Sequence, residues 1–481
     1  MSTVATVARN SAFIFLGQVA ARIFSLSTVV LIARGLGEAG FGEYIHILAV
    51  VGLFALVADF RLSIVLTREV ARQREAAGSY LRTVLTLKVA LGVVSALLAR
   101  LTVSLLPLGG EARTSFYVAV AAILLGTLVE TFNAVFQAFE RMEFVALTSV
   151  VNVGLVFLNA LLVMLNRWGL LALWWGYFVA NALTALLAGW LVRRRFAPVS
   201  FAWPLDKSLS RLFLWEAWPF FLSALFGLVH FRADVIILRQ TQGETVVGWY
   251  GTAYRLTEAL IAAHAAFLTA IFPVFSRFAV STEEGLRLGY RKSLQYFLLL
   301  GLPLGVGVCL LAQPLVRLLF GREFAPGGQA MQLLIWVAVL SFLNGVMYTV
   351  LNATNRQRQT TVVFGAAMVF NVALNLLLIP RWGMLGASAT KVASEVLSAG
   401  LALRFVSQRV GRLTGGLLSA KPWLAIAFMG GVIWLLRGWS WVGAGLIGGA
   451  IYLAVLLLLR TFDETDRRIC QQLWGVKRQR P

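Results

Sequence analysis

Apolar stretches follow one another along almost the whole chain, each about as long as a membrane is thick and parted from the next by a short polar or glycine-rich joint. A helix needs about 20 apolar residues to cross a hydrocarbon core. Fourteen runs of that order can be marked, at 11–33, 43–66, 83–106, 115–138, 144–166, 170–192, 214–238, 246–275, 293–319, 329–352, 360–379, 384–406, 417–436 and 441–459. They are too long and too uniformly apolar for a β-barrel, whose strands alternate over roughly 10 residues. The first run has polar interruptions and no small-residue cleavage site after a short core, so it is expected to be a retained span rather than a signal peptide.

The joints repeat. Gly37, Glu38, Gly42 and Tyr44 return as Gly243, Glu244, Gly248 and Tyr250, each set between two apolar runs. Arg167-Trp168-Gly169 returns as Arg381-Trp382-Gly383, and Gln137-Ala138-x-x-Arg141 as Asn352-Ala353-x-x-Arg356, in the same order and at nearly the same offset. The chain is therefore read as an internal duplication. The expected fold is all-α integral membrane, with about fourteen transmembrane helices in two six-helix lobes related by pseudo-twofold symmetry, plus two extra C-terminal helices. The expected domains are an N-lobe at 1–200 (spans 1–6), a C-lobe at 201–410 (spans 7–12), and spans 13–14 with a basic tail at 411–481. Arg193-Arg194-Arg195 and the positions up to Arg211 form the linker between lobes. An even number of crossings per repeat puts the axis along the membrane normal, and paired lobes of spans are the signature of a secondary transporter.

Composition agrees: 59% of residues are hydrophobic and 13% charged, against roughly 45–50% and 25% in soluble domains. The net charge of +21 would suit a nucleic-acid binder, but its distribution decides otherwise. Most of the 42 Lys and Arg fall in the N-terminal segment, the even-numbered connections and the C-terminal tail. The positive-inside rule then makes both termini cytoplasmic, and no nucleic-acid partner is expected. The connections leave no room for a soluble catalytic domain. Gly35-Leu36-Gly37-Glu38-Ala39-Gly40 spells a dinucleotide fingerprint, yet it follows a membrane helix rather than a strand and places Glu38 where a pyrophosphate would sit. There is no Walker A, His-Glu-x-x-His or Cys-x-x-Cys sequence, and Cys309 and Cys470 suggest neither disulfide nor metal. The expectation is a transporter and not an enzyme, with no cofactor and no metal site.

Charge inside the spans carries the candidate chemistry, because an Arg at mid-membrane costs about 2.5–3.5 kcal/mol on insertion scales and normally faces a bundle interior or a watery cavity. Lys88, Arg100 and Arg317 lie near span ends, from which they are expected to snorkel. Arg255 with Glu258, and Lys391 with Glu395, have the spacing of local helix pairs. Asp59 with Arg61, and Arg232 with Asp234, do not, and must look to other helices or to solvent. Arg22 is central in the first span and shares a polar stripe with Ser11, Gln18 and Ser25. Such a stripe lines a cavity; the alternative is an interhelical pair with Glu130. In span 7, Ser223, Gly227, His230 and Asp234 share a face, making His230 with Asp234 a candidate proton or cation site. Asn371 and Asn375 are one turn apart in span 11 and suit hydrogen bonding between helices better than substrate contact.

With these residues in place, the chain resembles the Wzx-type polysaccharide and oligosaccharide-lipid flippases of the multidrug/oligosaccharidyl-lipid/polysaccharide (MOP) exporter superfamily, which also holds MurJ-like lipid II flippases and MATE drug exporters. The resemblance rests on Arg34-Gly-Leu-Gly-Glu-x-x-Gly-Phe-Gly-x-Tyr44, Arg68-Glu69, Arg232-Ala-Asp234, Val247-Gly-x-Tyr250, Tyr254-Arg255, and Asn371-x-x-x-Asn375 leading through Pro380 to Gly383, Gly386 and Ala387. It implies a flippase for an undecaprenyl-diphosphate-linked glycan, working by alternating access in the bacterial inner membrane, with membrane lipids and polysaccharide polymerase or assembly proteins as partners. MurJ-like members place arginines in spans 1, 2 and 8, and Arg22, Arg61 and Arg255 occupy those spans here. The MurJ-type span 1 sequence is not matched, and many Wzx members have twelve spans. The expected cargo site is Arg22, Arg61, Arg255, Gln18 and Arg232, and the candidate Na+ or H+ coupling groups are Asp234, His230, Glu130 and Glu258. The rivals are a cation-coupled MATE-like exporter of drugs or metabolites, which calls for a mostly acidic cavity, a MurJ-like lipid II flippase, and a membrane glycan polymerase or ligase.

Overall fold

The computed structural model describes residues 3–105, 109–196, 206–411, 420–461 and 466, with side chains from Phe24 onward apart from 105 and several positions between 263 and 280. Among the described residues the chain is helical throughout, without a β-strand. Helix α1 (Thr3–Asp59) is followed by a short α2 (Leu62–Arg72), a 3-10 turn (Arg74–Ala76), α3 (Ala77–Leu105), α4 (Gly110–Ala138), α5 (Met142–Asn166) and α6 (Gly169–Arg195). Then come α7 (Lys207–Gln242), α8 (Glu244–Ser281), α9 (Glu283–Phe320), α10 (Gly327–Ala353), α11 (Gln357–Val410), α12 (Ala420–Leu436) and α13 (Trp441–Leu458). Ten described helices are long and apolar enough to cross a membrane. Helices α1 and α11 each hold two apolar runs, meeting at Gly37 and Gly383, which accords with an architecture of about fourteen spans.

The duplication is written in the backbone. Gly37 (φ 68, ψ −179) and Gly243 (φ 84, ψ −179) adopt one conformation, in the region where an L side chain is strained, and each starts the next apolar helix. The second repeated joint places Gly169 (φ 80) opposite Gly383 (φ 54), and the third Glu140 (φ 61) opposite Asn355 (φ 59). All three sequence repeats thus carry a positive-φ residue at the matching position in both copies.

The first repeat pair also meets in space. A Cβ on Gly42 would land on the carbonyl oxygen of Glu244, and one on Gly248 would land on that of Glu38, both far inside van der Waals contact. Each glycine faces the glutamate that opens the other copy, so the second half of α1 and the start of α8 touch backbone to backbone in a locally twofold manner. Small residues permit this approach where lipid supplies no hydrophobic drive between helices. The side chains break the symmetry. Trp249 Nε1 donates to Glu38 Oε2 at 2.6 Å, whereas Arg239 bridges Glu43, at 3.3 Å, and Glu244.

Two compact units are present, one of Met1–Arg255 with Met368–Ala387 and the other of Leu256–Ala367 with Ser388–Pro481. In the first, Leu62, Val65, Leu66 and Val70 of α2 bury one face against Leu81, Val84, Phe132, Phe136 and Phe213. In the second, α12 and α13 pack on α9 through Ala425, Met429, Ile433, Ala444 and Tyr452, and the Tyr452 hydroxyl donates to the Leu299 carbonyl at 2.8 Å. The extra C-terminal pair is therefore anchored to span 9. Elsewhere the outward faces are greasy: Val89, Val93, Leu97 and Leu101 form an exposed apolar stripe on α3, the reverse of a soluble helix. The run expected at 43–66 is not one helix. It breaks at Phe60 (φ 47) and Arg61 (φ 58), after which α2 runs as a separate amphipathic segment.

The glycine contact leads to a direct expectation. Gly42→Val or Gly248→Val lowers the thermal stability of the purified protein by about 1–3 kcal/mol or more, as overpacking does, while Gly92→Ala, which meets nothing within 4 Å, leaves the unfolding midpoint in place.

Candidate functional site

The Phe60–Arg61 turn is the focus of polar chemistry in the first unit. Two successive residues with side chains sit at positive φ, a conformation that costs of order 1–3 kcal/mol per residue and persists only where the surroundings enforce it. Phe60 stacks on Phe221 of α7, with centroids 4.4 Å apart and planes 14° from parallel, and also lies against Trp218. The Asp59 carboxylate accepts the Arg61 backbone N–H at 3.0 Å. Lys88 of α3 supplies the countercharge: its Nζ donates to Asp59 Oδ1 at 2.5 Å, to Ser63 Oγ at 2.9 Å and to the Thr127 carbonyl at 2.8 Å. All three ammonium protons are used, and the side chains of Lys88 and Asp59 are only 1% and 7% exposed. This corrects the expectation that Lys88 snorkels. It lies near a span end in sequence, but α1 ends beside it and brings a carboxylate to it.

Arg61 itself is half-buried. Its Nε is shielded from solvent and has no hydrogen-bond partner. Glu130 of α4 is exposed and lies within the electrostatic reach of Asp59, Lys88 and Arg61. The turn thus joins Arg61 and Glu130, expected from sequence, with Asp59, Ser63 and Lys88. A buried donor without an acceptor is costly, and an anion with oxygens to share relieves that cost.

Spans 7 and 8 carry a second cluster in the same unit. Asp234, fully buried, accepts from the Tyr250 hydroxyl and, at 2.9 Å, from the Val235 backbone N–H. Tyr250 is the residue that closes the repeated glycine motif. Its counterpart Tyr44 uses its hydroxyl likewise, 3.0 Å from that of Tyr177. His230 is buried one turn before Asp234, edge-on to Phe231. The guanidinium of Arg232 lies 5.5 Å from the centre of the Tyr254 ring, whose hydroxyl donates to the Phe231 carbonyl at 3.1 Å. Arg255, half-buried, acts electrostatically on Tyr177.

Asn375 Nδ2 donates to Asn371 Oδ1 at 2.9 Å, so both asparagines join a hydrogen bond along their own helix. Arg68 of the Arg68-Glu69 motif bridges Glu69 at 2.8 Å and Glu216 of α7 at 3.0 Å, a partly solvated link worth little by itself. Arg100 and Arg317 are exposed. Glu258 is half-buried and belongs to the second unit. The side chains of Arg22 and Gln18 lie outside the described residues. No group of three or more His, Cys, Asp or Glu suited to a metal ion occurs among the described residues.

Charges held inside apolar helices and a duplicated helical backbone are the features of a multi-pass membrane protein. The fold is similar to that of the lipid II flippase MurJ in an inward closed conformation, with a TM-score of 0.77 at 13% identity over 93% of this chain and 99% of that one. The family model described as polysaccharide biosynthesis protein matches residues 7–279, more than half of the chain, and the MatE model matches residues 219–377. The chain belongs to the polysaccharide biosynthesis protein family, within the MOP superfamily. It is also similar to the probable low-salt glycan biosynthesis flippase Agl15 of Haloferax volcanii, 22% identical over 95% of this chain and 97% of that protein. A putative O-antigen transporter of Shigella flexneri is 22% identical over 82% of this chain and 96% of its own length.

The Lys88–Asp59 pair sets up a mutant cycle. Lys88→Met alone leaves a buried carboxylate uncompensated and should cost about 3–5 kcal/mol. Adding Asp59→Leu should recover most of that loss in thermal unfolding of the purified protein. A double variant as unstable as the single one would mean that the pair is not a closed unit.

Proposed function

We propose that this protein flips an undecaprenyl-diphosphate-linked oligosaccharide across the bacterial inner membrane, for cell-surface polysaccharide assembly. The names of its relatives, a glycan biosynthesis flippase and an O-antigen transporter, support that cargo class. The observation that carries the reading is Arg61, a guanidinium held in a strained turn inside the membrane protein with a shielded N–H that lacks an acceptor. A diphosphate supplies acceptor oxygens in the planar, bidentate geometry that arginine matches. Lys88 cannot take that role while its three protons are committed to protein oxygens.

In this scheme the two six-span repeats, 1–200 and 201–410, alternate access to a shared site, with Arg22, Gln18, Arg232 and Arg255 contributing alongside Arg61. The polyprenyl tail stays in lipid. Both termini face the cytoplasm, so an anion leaving a negative-inside cell gains about 2.3 kcal/mol per charge per 100 mV, a drive that needs no ATP. Na+ or H+ coupling through Asp234, His230, Glu130 or Glu258 adds to it, and polysaccharide polymerase or assembly proteins receive the product. The MatE match at 219–377 leaves a drug or metabolite exporter as the second reading.

Proteoliposomes carrying a short-chain polyprenyl-diphosphate sugar test the assignment. Arg61→Ala should slow flipping at least tenfold, with Arg61→Lys intermediate, because a point charge replaces a fork. Unchanged flipping by Arg61→Ala would remove Arg61 from the site, and transport of cationic drugs without lipid flipping would favour the exporter.

A further inference from the structure

The second unit buries a carboxyl group that the cargo site does not use. Glu395 lies in the second apolar run of α11 and is 9% exposed. Asn344 of α10, 1% exposed, donates through Nδ2 to Glu395 Oε2 at 2.6 Å and to the Glu395 carbonyl at 3.2 Å. Ser341 of α10 also bears on the same carboxyl. Further along both helices Tyr348 and Ser398 bear on each other. Thr390, Ser394 and Ser398, all buried, extend the polar seam along α11.

Two features separate this seam from a simple helix-to-helix clasp. Asn344, the side chain that hydrogen-bonds the carboxyl, is neutral, and among the described residues the ionisable groups bearing on it are Lys391, one turn earlier on α11, and Tyr348 of α10. Moreover, the Oδ1 of Asn344 is buried and receives no donor. An ionised carboxylate has only lone pairs to offer, so it cannot satisfy that oxygen. A protonated carboxyl adds one O–H donor next to an acceptor that has none, and two charge states are then each matched by part of the seam. A metal ion is less suited, because Lys391 already brings positive charge to the site.

We propose that Glu395 is a proton-binding site: during each transport cycle its carboxylate takes one proton from water on one side of the membrane, forming an O–H bond, and releases it on the other, with Asn344 as the amide that accommodates both states. The proton is the only co-reactant, and no electrons move. Loading removes a carboxylate charge felt by Lys391, so the two states differ electrostatically deep inside the unit. That difference is what a transported ion must supply to bias one conformation over another. The coupling role rests on the reading of the chain as a transporter; the proton site itself does not depend on the cargo.

Infrared difference spectra of the full-length protein in lipid nanodiscs, recorded between mildly acidic and alkaline buffers without cargo, read the site directly. A C=O band of a protonated carboxyl should titrate in the wild type, vanish in Glu395→Gln, and persist with altered frequency and midpoint in Asn344→Leu. In proteoliposomes an imposed pH gradient should change the wild-type flipping rate several-fold and leave that of Glu395→Gln unaffected. Spectra identical to wild type in both variants overturn the proposal, even if Glu395→Gln lowers thermal stability, for the carboxyl is then structural. Absence of flipping at any pH together with a titrating Glu395 band would instead count against the cargo and leave the proton site standing.

Discussion

Two helices from different copies of the duplicated sequence touch through glycine, and the rest of the first unit is arranged around that contact. Neither Gly42 nor Gly248 leaves room for a Cβ, and the positive-φ glycines five positions earlier, Gly37 and Gly243, aim both helices into the crossing. In lipid the attraction between helices comes from close packing rather than from expelled water, so a contact this intimate fixes geometry as well as adding stability. It sets where Tyr44 and Tyr250 bring their hydroxyls, and it holds the start of the run that ends at Asp59, Phe60 and Arg61.

Buried charge is the second constraint, and the structure sorts it into kinds. Lys88 with Asp59 is closed, with every ammonium proton used. Asp234 is held by a tyrosine hydroxyl and a backbone N–H. Such groups stabilise particular helix positions and are poor candidates for meeting cargo, since freeing them would expose an uncompensated ion to a low-dielectric interior. Arg61 is of another kind: its backbone is pinned by the Phe60–Phe221 stack and by Asp59, while its shielded Nε lacks an acceptor. A rigid mount and an unfilled donor are the two observations on which the proposed diphosphate contact rests.

Much of the architecture was legible because lipid imposes a simple rule on spanning helices and because glycine at positive φ leaves a trace in sequence. The three joints whose repetition was read from residue identity each place a residue at positive φ at the same point in both copies. Asp59 was rightly expected to look beyond its own helix, since two residues of separation on a helix point side chains apart. What escaped was long-range: nothing near Lys88 in the chain announces Asp59, and the break at Phe60–Arg61 carries no glycine or proline, being enforced by an aromatic stack with α7. Tyr250 as the partner of Asp234 could have been inferred from the motif, but only by knowing how the helices at Gly243 fold back.

Recognition of a lipid by its diphosphate is the property on which the proposed transport depends. Native mass spectrometry of the purified protein with a short-chain polyprenyl diphosphate and with the matching uncharged polyprenol measures that recognition without any transport step. The expected result is selective retention of the diphosphate, weakened by salt and by Arg61→Ala. Equal retention of both lipids, insensitive to salt and to position 61, would contradict it.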